Sequence, residues 1–203
     1  MYILRSVIFF SLLIQSLAFS LTINQAVVKI GNQYITNLDI CIAKNFYYYK
    51  LSLNDNEITD RLILIKAVLN DQRNSNINVS EDKITDYQES LIKDYGGLKN
   101  LEKSLRQYNL NFKQLRNYLK KYILYKTIKQ NILLKKVIVK FSEIQDYYKN
   151  IYLINQKKYN LPIKPISEIA PLIESRLRSE KASKFENVWK KEILSHYKIE
   201  YLK

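Results

Sequence analysis

Few residues in this chain have the chemistry for catalysis. It holds one histidine, His196, one cysteine, Cys41, and three glycines. There is no Gly-rich phosphate loop, no serine or cysteine with a histidine at a useful place, and no Cys, His and acid cluster at metal-ligand spacing. The adjacent acids Glu81 and Asp82 fall where a helix N-terminus favours negative charge, which accounts for them without acid–base catalysis. His196, near the end of the last helix, is expected at the surface, and Cys41 reads as a small core residue. No catalytic, cofactor-binding or metal-binding residue is expected. What the chain has in quantity is tyrosine, 17 residues against one tryptophan. Tyr47, Tyr48 and Tyr49 are consecutive, and adjacent helical residues diverge by about 100°, so all three cannot face one core. Tyr118, Tyr122 and Tyr125 share a helix face beside Leu115 and Leu119. Such rings serve either as a large, partly wet cover over a core or as a peptide-binding surface. The second use suits tyrosine, which is amphipathic, loses little rotamer entropy and repacks against many sequences. In that reading Tyr48, Tyr118, Tyr122 and Tyr125 are the candidate contacts.

Charge narrows the partners. The formal net charge is +14, a balance that suits nucleic acid, an anionic membrane surface or acidic clients. The lysines, however, are dispersed as pairs (Lys120-Lys121, Lys135-Lys136, Lys157-Lys158, Lys190-Lys191) rather than gathered into one patch. Lysine, isoleucine, asparagine and tyrosine are all overrepresented, as an AT-rich genome produces without selection for binding. A generally solvated basic surface follows, with no specific nucleic-acid partner.

Met1 to Ser20 has Arg5 in a short n-region and an apolar run from Val7 to Leu17. Small residues then offer cleavage after Ala18 or after Ser20. The run is shorter than the roughly 20 residues of a spanning helix, so it reads as a secretory signal peptide; an uncleaved N-terminal anchor is the alternative. With one cysteine, the exported chain has no internal disulfide.

The elements that would position the tyrosines are mostly helices, because glycine and proline punctuation is sparse. Val27 to Ile30, the turn Gly31-Asn32 and Gln33 to Ile35 form a short hairpin. Thr36 with Asp39 is a capping box opening a helix with Leu38, Cys41, Ile42 and Phe46 on one face. Asp55 or Asn56 caps a second helix carrying Ile58, Leu62, Ile65 and Leu69. Ser80 caps a third with Ile84, Tyr87 and Leu91, which stops at Gly96-Gly97. A short helix carries Leu98, Leu101 and Leu105. Asn111 and Gln114 then box the longest one, about Phe112 to Leu134. Ser142 caps a helix with Ile144, Tyr147, Tyr148 and Ile151. After the linker 156–165 comes a long helix with Ile169, Leu172, Ile173, Leu177, Phe185 and Trp189, in which Pro171 is tolerable only near the start. Tyr197 to Leu202 alternates as a strand. A two-stranded hairpin is marginal alone, so this last strand is expected to complete a small sheet with it.

Four stretches in this order, "VVKIGNQYITNLDI", "RLILIKAVLNDQRNSNINVSEDKI", "YGGLKNLEKSLRQYNLNFKQLRNYLKKYILYKTI" and "ISEIAPLIESRLRSEKASKFENVWKKEILSHYKIEYL", resemble the SurA-type periplasmic chaperones and the exported foldases related to trigger factor. The resemblance implies a mostly α fold: a helical chaperone core with a small antiparallel sheet made by the N-terminal hairpin and the C-terminal strand. It divides the chain into a signal peptide (1–20), a hairpin and helical chaperone module (21–155), a linker (156–165) and a closing helix and strand (166–203) that complete the same module. In the family, parvulin-type prolyl isomerase domains usually stand where the linker is, and ten residues cannot hold one. The resemblance thus implies a chaperone module without the enzyme. It implies an ATP-independent periplasmic protein, needing no cofactor, that would hold unfolded secreted or outer-membrane polypeptides in an apolar cradle. Transient contact with a membrane surface is compatible with the charge. The other expectations are a basic exported protein that binds an anionic polymer or membrane surface, and a degenerate prolyl isomerase.

Overall fold

A computed structural model describes residues 25–74 and 76–202. The signal-peptide expectation lies outside these residues. The protein is mostly α-helical with one small three-stranded antiparallel sheet.

β1 (Ala26–Ile30) and β2 (Gln33–Thr36) form the hairpin. Gly31 makes the turn in left-handed backbone, φ 54°, which glycine adopts without steric cost. β3 (Ile199–Tyr201) pairs with the other edge of β1, with Ile199 opposite Ile30 and Tyr201 opposite Val28, so the strand order is β2-β1-β3. The ladder is extended by Gly31 N–H donating to the Lys198 carbonyl (3.1 Å) and Leu202 N–H to the Val27 carbonyl (2.9 Å). The expected closing strand is therefore present, and Val28, Ile30 and Ile35 are fully buried.

The capping box at Thr36 and Asp39 opens α1 (Asn37–Ile42): each residue's side chain accepts the other's backbone N–H, at 2.9 and 3.2 Å. α1 then widens into a π-helical turn, Ala43–Tyr47. The extra residue changes the facing of everything after it. Ile40, Ile42, Ala43, Phe46, Tyr47 and Tyr48 are buried, while Leu38 and Cys41 are half-buried. Burial pushes the Cys41 thiol pKa up, with the Asp55 charge adding to it. α2 (Asp55–Asn70) is capped by Asn54, not by Asp55 or Asn56, because the boxing acid Glu57 stands three residues after Asn54. Its expected single apolar face is too narrow: Ile58, Leu62, Ile63, Leu64, Ile65, Ala67 and Val68 are all buried, as for a helix enclosed on several sides.

α3 (Glu81–Asp94) buries Ile84, Gln88 and Leu91, and α4 (Leu98–Arg106) buries Leu101 and Leu105. Asn111 and Gln114 box the start of α5 (Phe112–Lys136) as expected, at 2.8 and 2.9 Å. α6 (Phe141–Tyr147) starts two residues earlier than the Ser142 cap would place it, because the Glu143 carboxylate takes the Lys140 N–H at 2.8 Å. A π turn, Tyr148–Tyr152, leads into α7 (Leu153–Lys158). α8 (Ile166–Ser195) holds Pro171 in its second turn. His196 is exposed, as expected.

Contacts divide the chain into two units. One comprises residues up to Ile128 with those from Ile193 on, and the other is Lys129–Glu192. The first contains the sheet, α1 to α4 and the larger core. The second holds a cluster of Ile144, Ile169 and Ile173, with Tyr147, Tyr148, Tyr152 and Leu177 packed against it, and Val137 and Trp189 are buried in it as well.

Candidate functional site

In the first unit the tyrosines form one cluster. The Tyr47 and Tyr122 rings stack at 4.4 Å and 3°. Tyr48 meets Tyr122 edge-on at 5.7 Å, and Tyr87 does so at 5.9 Å. Tyr47 and Tyr48 both reach the cluster because the helix leaves its 3.6-residue phase just before them. The Tyr48 backbone, φ −119° and ψ 17°, is already outside the helix. Tyrosine hydroxyls satisfy backbone carbonyls around the π turn: Tyr87 donates to Phe46 O (3.1 Å) and Tyr95 to Asn45 O (2.7 Å). Tyr47 donates to Tyr118 O at 2.9 Å, joining the turn to α5. The Arg61 guanidinium lies 5.0 Å over Tyr48, and the Lys126 ammonium 5.6 Å from the Tyr122 centroid; both contacts use the negative ring face.

Of the four expected peptide contacts, Tyr48, Tyr122 and Tyr125 are each 8% exposed and only Tyr118 is half-buried. The structure thus brings the tyrosines together but closes most of the face they were expected to open. Burial pushes the Tyr47, Tyr48, Tyr87, Tyr118 and Tyr122 phenols above their usual pKa; the Arg61 charge opposes the shift at Tyr48 and Tyr122. The cluster is accordingly neutral near pH 7, a packing and hydrogen-bonding group with no nucleophile.

The second unit carries a groove of about 360 Å³. α8 supplies Ile169, Ile173, Leu172 and Arg176, while Tyr147 and Tyr152 come from α6 and the π turn. The walls are apolar because Ile169 and Ile173, one helical turn apart, also form the unit's core. Leu172, expected on the buried face, is 73% exposed on the lip. In this part of α8 only Ile169 and Ile173 are buried, and Leu172 between them is not. The Arg176 guanidinium lies 5.5 Å over the Tyr147 ring and pairs with Glu180 at 3.1 Å. One ion pair and two hydrogen bonds fasten α6 and the residues before it to α8: Lys181 pairs with Glu143 (2.6 Å) and donates to Ile138 O (2.7 Å), and Arg178 donates to Val137 O (3.1 Å). Elsewhere in the same unit, Leu134, Ile138, Phe141, Ile151, Ile154 and Val188 are exposed. From the sequence Tyr147 was expected only as a face residue of its helix, and Tyr152 and Arg176 were not singled out. The available signal was the Tyr147-Tyr148 pair with Tyr152 four residues on, in a segment too poor in aliphatic residues to bury them.

Among the described residues no group of His, Cys, Asp and Glu is placed to hold a metal ion. No described helix is long and apolar enough to cross a membrane.

With this architecture the chain is similar to a solved structure from Campylobacter jejuni, where the virulence factor PEB4 and the periplasmic protein Cj1289 are described as two structurally related SurA-like chaperones. The TM-score is 0.52 with 14% identity, over 89% of this chain and 100% of that chain. At this identity the likeness is one of fold, and the fold is SurA-like. No protein-family model matches the sequence, and none of the curated proteins matches it.

Proposed function

We propose that the protein is an ATP-independent chaperone of the cell envelope that holds unfolded secreted or outer-membrane polypeptides, without a cofactor and without prolyl isomerase activity. The observation that carries this reading is the apolar surface of the Lys129–Glu192 unit: it holds a groove walled by Ile169, Leu172, Ile173 and Tyr147, and several other large apolar side chains of the unit stand exposed. Exposed apolar area on this scale marks an interaction surface, and a shallow groove with few directional polar groups suits many sequences over one. The SurA-like fold supports the same class of function. Export through a leader cleaved after Ala18 or Ser20 puts the protein in the periplasm. The tyrosine cluster adds its more accessible residue, Tyr118, with Tyr48, Tyr122 and Tyr125 offering only the ring edge each leaves exposed.

The test is suppression of aggregation of a chemically denatured client by the processed protein. Suppression near stoichiometric ratio is expected, with only a modest loss between low and physiological salt, because screening weakens lysine contacts far more than apolar burial. Leu172→Ser, at an exposed position, should weaken suppression and leave circular dichroism unchanged. No suppression at several-fold excess would refute the reading. A steep fall of log affinity with log salt, insensitive to Leu172→Ser, would favour an anionic polymer as the ligand instead. A proline-peptide isomerisation assay should run at the uncatalysed rate.

A further inference from the structure

Between α7 and α8 the chain reads Lys157-Lys158-Tyr159-Asn160-Leu161-Pro162-Ile163-Lys164-Pro165, and every one of these residues is exposed. Tyr159 is 62% exposed, and Leu161 and Ile163 are each 52% exposed. The stretch has three large apolar residues at alternate positions, three lysines and no acid. Its conformation is built at both ends. At the α7 end, Leu161 N–H donates to Gln156 O (2.9 Å) and Asn160 N–H to Lys157 O (3.3 Å), with Asn160 in left-handed backbone, φ 50°. This is a Schellman cap, in which the residue at the Leu161 position often packs on the one at the Gln156 position. Here that partner is a polar glutamine, and Leu161 is left presented. At the α8 end, the stacked rings of Tyr148 and Tyr152 (5.3 Å) clamp Lys164: Tyr148 donates to its carbonyl (2.8 Å) and its N–H donates to the Tyr152 oxygen (3.1 Å). Lys158 lies 5.2 Å from the Tyr159 ring.

We propose that this tip docks the protein on an anionic lipid bilayer surface. A stretch exposed along its whole length has no walls to enclose a polypeptide, whereas a bilayer interface needs none. Tyr159, Leu161 and Ile163 enter the headgroup and acyl boundary, and Lys157, Lys158 and Lys164 stay at the anionic headgroups, where long cationic side chains extend from an apolar base. Tyrosine is a residue enriched at such interfaces. The two end clamps limit the ordering entropy lost on docking. The proposal is independent of the chaperone reading, which rests on the groove.

The test is co-sedimentation of the full processed chain with phosphatidylcholine vesicles containing phosphatidylglycerol, and with pure phosphatidylcholine vesicles. Binding to the anionic vesicles is expected, at least tenfold stronger than to the neutral ones. The triple variant Tyr159→Ser, Leu161→Ser, Ile163→Ser and the triple variant Lys157→Gln, Lys158→Gln, Lys164→Gln should each lose on the order of tenfold or more. All the changes are at exposed positions, and circular dichroism reports whether each variant folds. Aggregation suppression in the absence of lipid should be unchanged in both variants, which separates this surface from the groove. Failure to bind anionic vesicles, or binding that neither variant weakens, overturns the proposal. Loss of client holding in the apolar variant without vesicle binding by the parent overturns it in favour of a polypeptide partner.

Discussion

Removing Lys198 to Lys203 should destabilise the sheet-bearing unit by about 3–5 kcal/mol. The deletion removes the Gly31-to-Lys198 and Leu202-to-Val27 hydrogen bonds and the ladder between them. At roughly 1 kcal/mol net per bond, the two flanking bonds account for about 2 kcal/mol. The remainder comes from β1, which loses a neighbour on one edge while its side chains Val28 and Ile30 are fully buried; exposing part of them costs about 25 cal/mol per Å². Tyr197 is retained because its hydroxyl donates to Ala67 O at 3.2 Å, a separate anchor onto α2. For a chain of this size each kcal/mol shifts the melting midpoint by about 2–4 °C, so the deletion should lower it by roughly 10 °C. Thermal melts followed by circular dichroism, with and without the last six residues, decide the matter. A midpoint within 2 °C of the parent would refute the claim that β3 holds the sheet.

The buried phenols predict alkaline unfolding: their pKa values are raised in the folded state, so their contribution is complete below the unfolded tyrosine pKa of about 10 and is lost as pH rises beyond it. Tyrosinate absorbance should therefore rise together with loss of far-ultraviolet ellipticity, and smooth titration of every tyrosine without unfolding would contradict the burial. Phe46, fully buried beneath Tyr95 and Tyr108, should cost about 3–5 kcal/mol when changed to Ala, read from urea midpoints. Amides of α6, the following π turn and α7 should exchange with solvent at least tenfold faster than those of α2, since the small Ile144–Ile169–Ile173 cluster supports the former and an enclosing core the latter. Equal protection by mass-spectrometric exchange would refute that difference.

The features legible in the sequence were local. The hairpin turn at Gly31 and the boxes at Thr36 with Asp39 and Asn111 with Gln114 each lie within four residues, and the structure has all three. Closure of the sheet by β3 was legible for a different reason: an isolated hairpin needs a partner, and only one other alternating segment stands out. The caps that moved did so because neighbouring residues compete. Asn54, Asp55 and Asn56 can all cap, and Glu57 settles it for Asn54 through spacing. Lys140 is invisible as a helix start because the Glu143 carboxylate, not the lysine, makes the bond. The π turn at Ala43–Tyr47 left no periodic signal, since an inserted residue breaks the very period that reveals a helix.

That inserted residue also explains why the tyrosines were harder to place than the helices that carry them. On a regular helix Tyr47 and Tyr48 would diverge, and one of them would face water. The π turn and the helix end bring both inward, where Tyr47 stacks on Tyr122 and Tyr48 meets its edge. The aromatic surplus of the first unit is consumed in its own core. In the second unit the same composition has the opposite outcome. Its main cluster is Ile144, Ile169 and Ile173, with Val137 and Trp189 the other buried apolar residues of the unit, so Leu172, Phe141 and Ile154 have no layer to pack beneath. Apolar surface available to a partner therefore follows from the scarcity of core positions in Lys129–Glu192, not from the abundance of tyrosine.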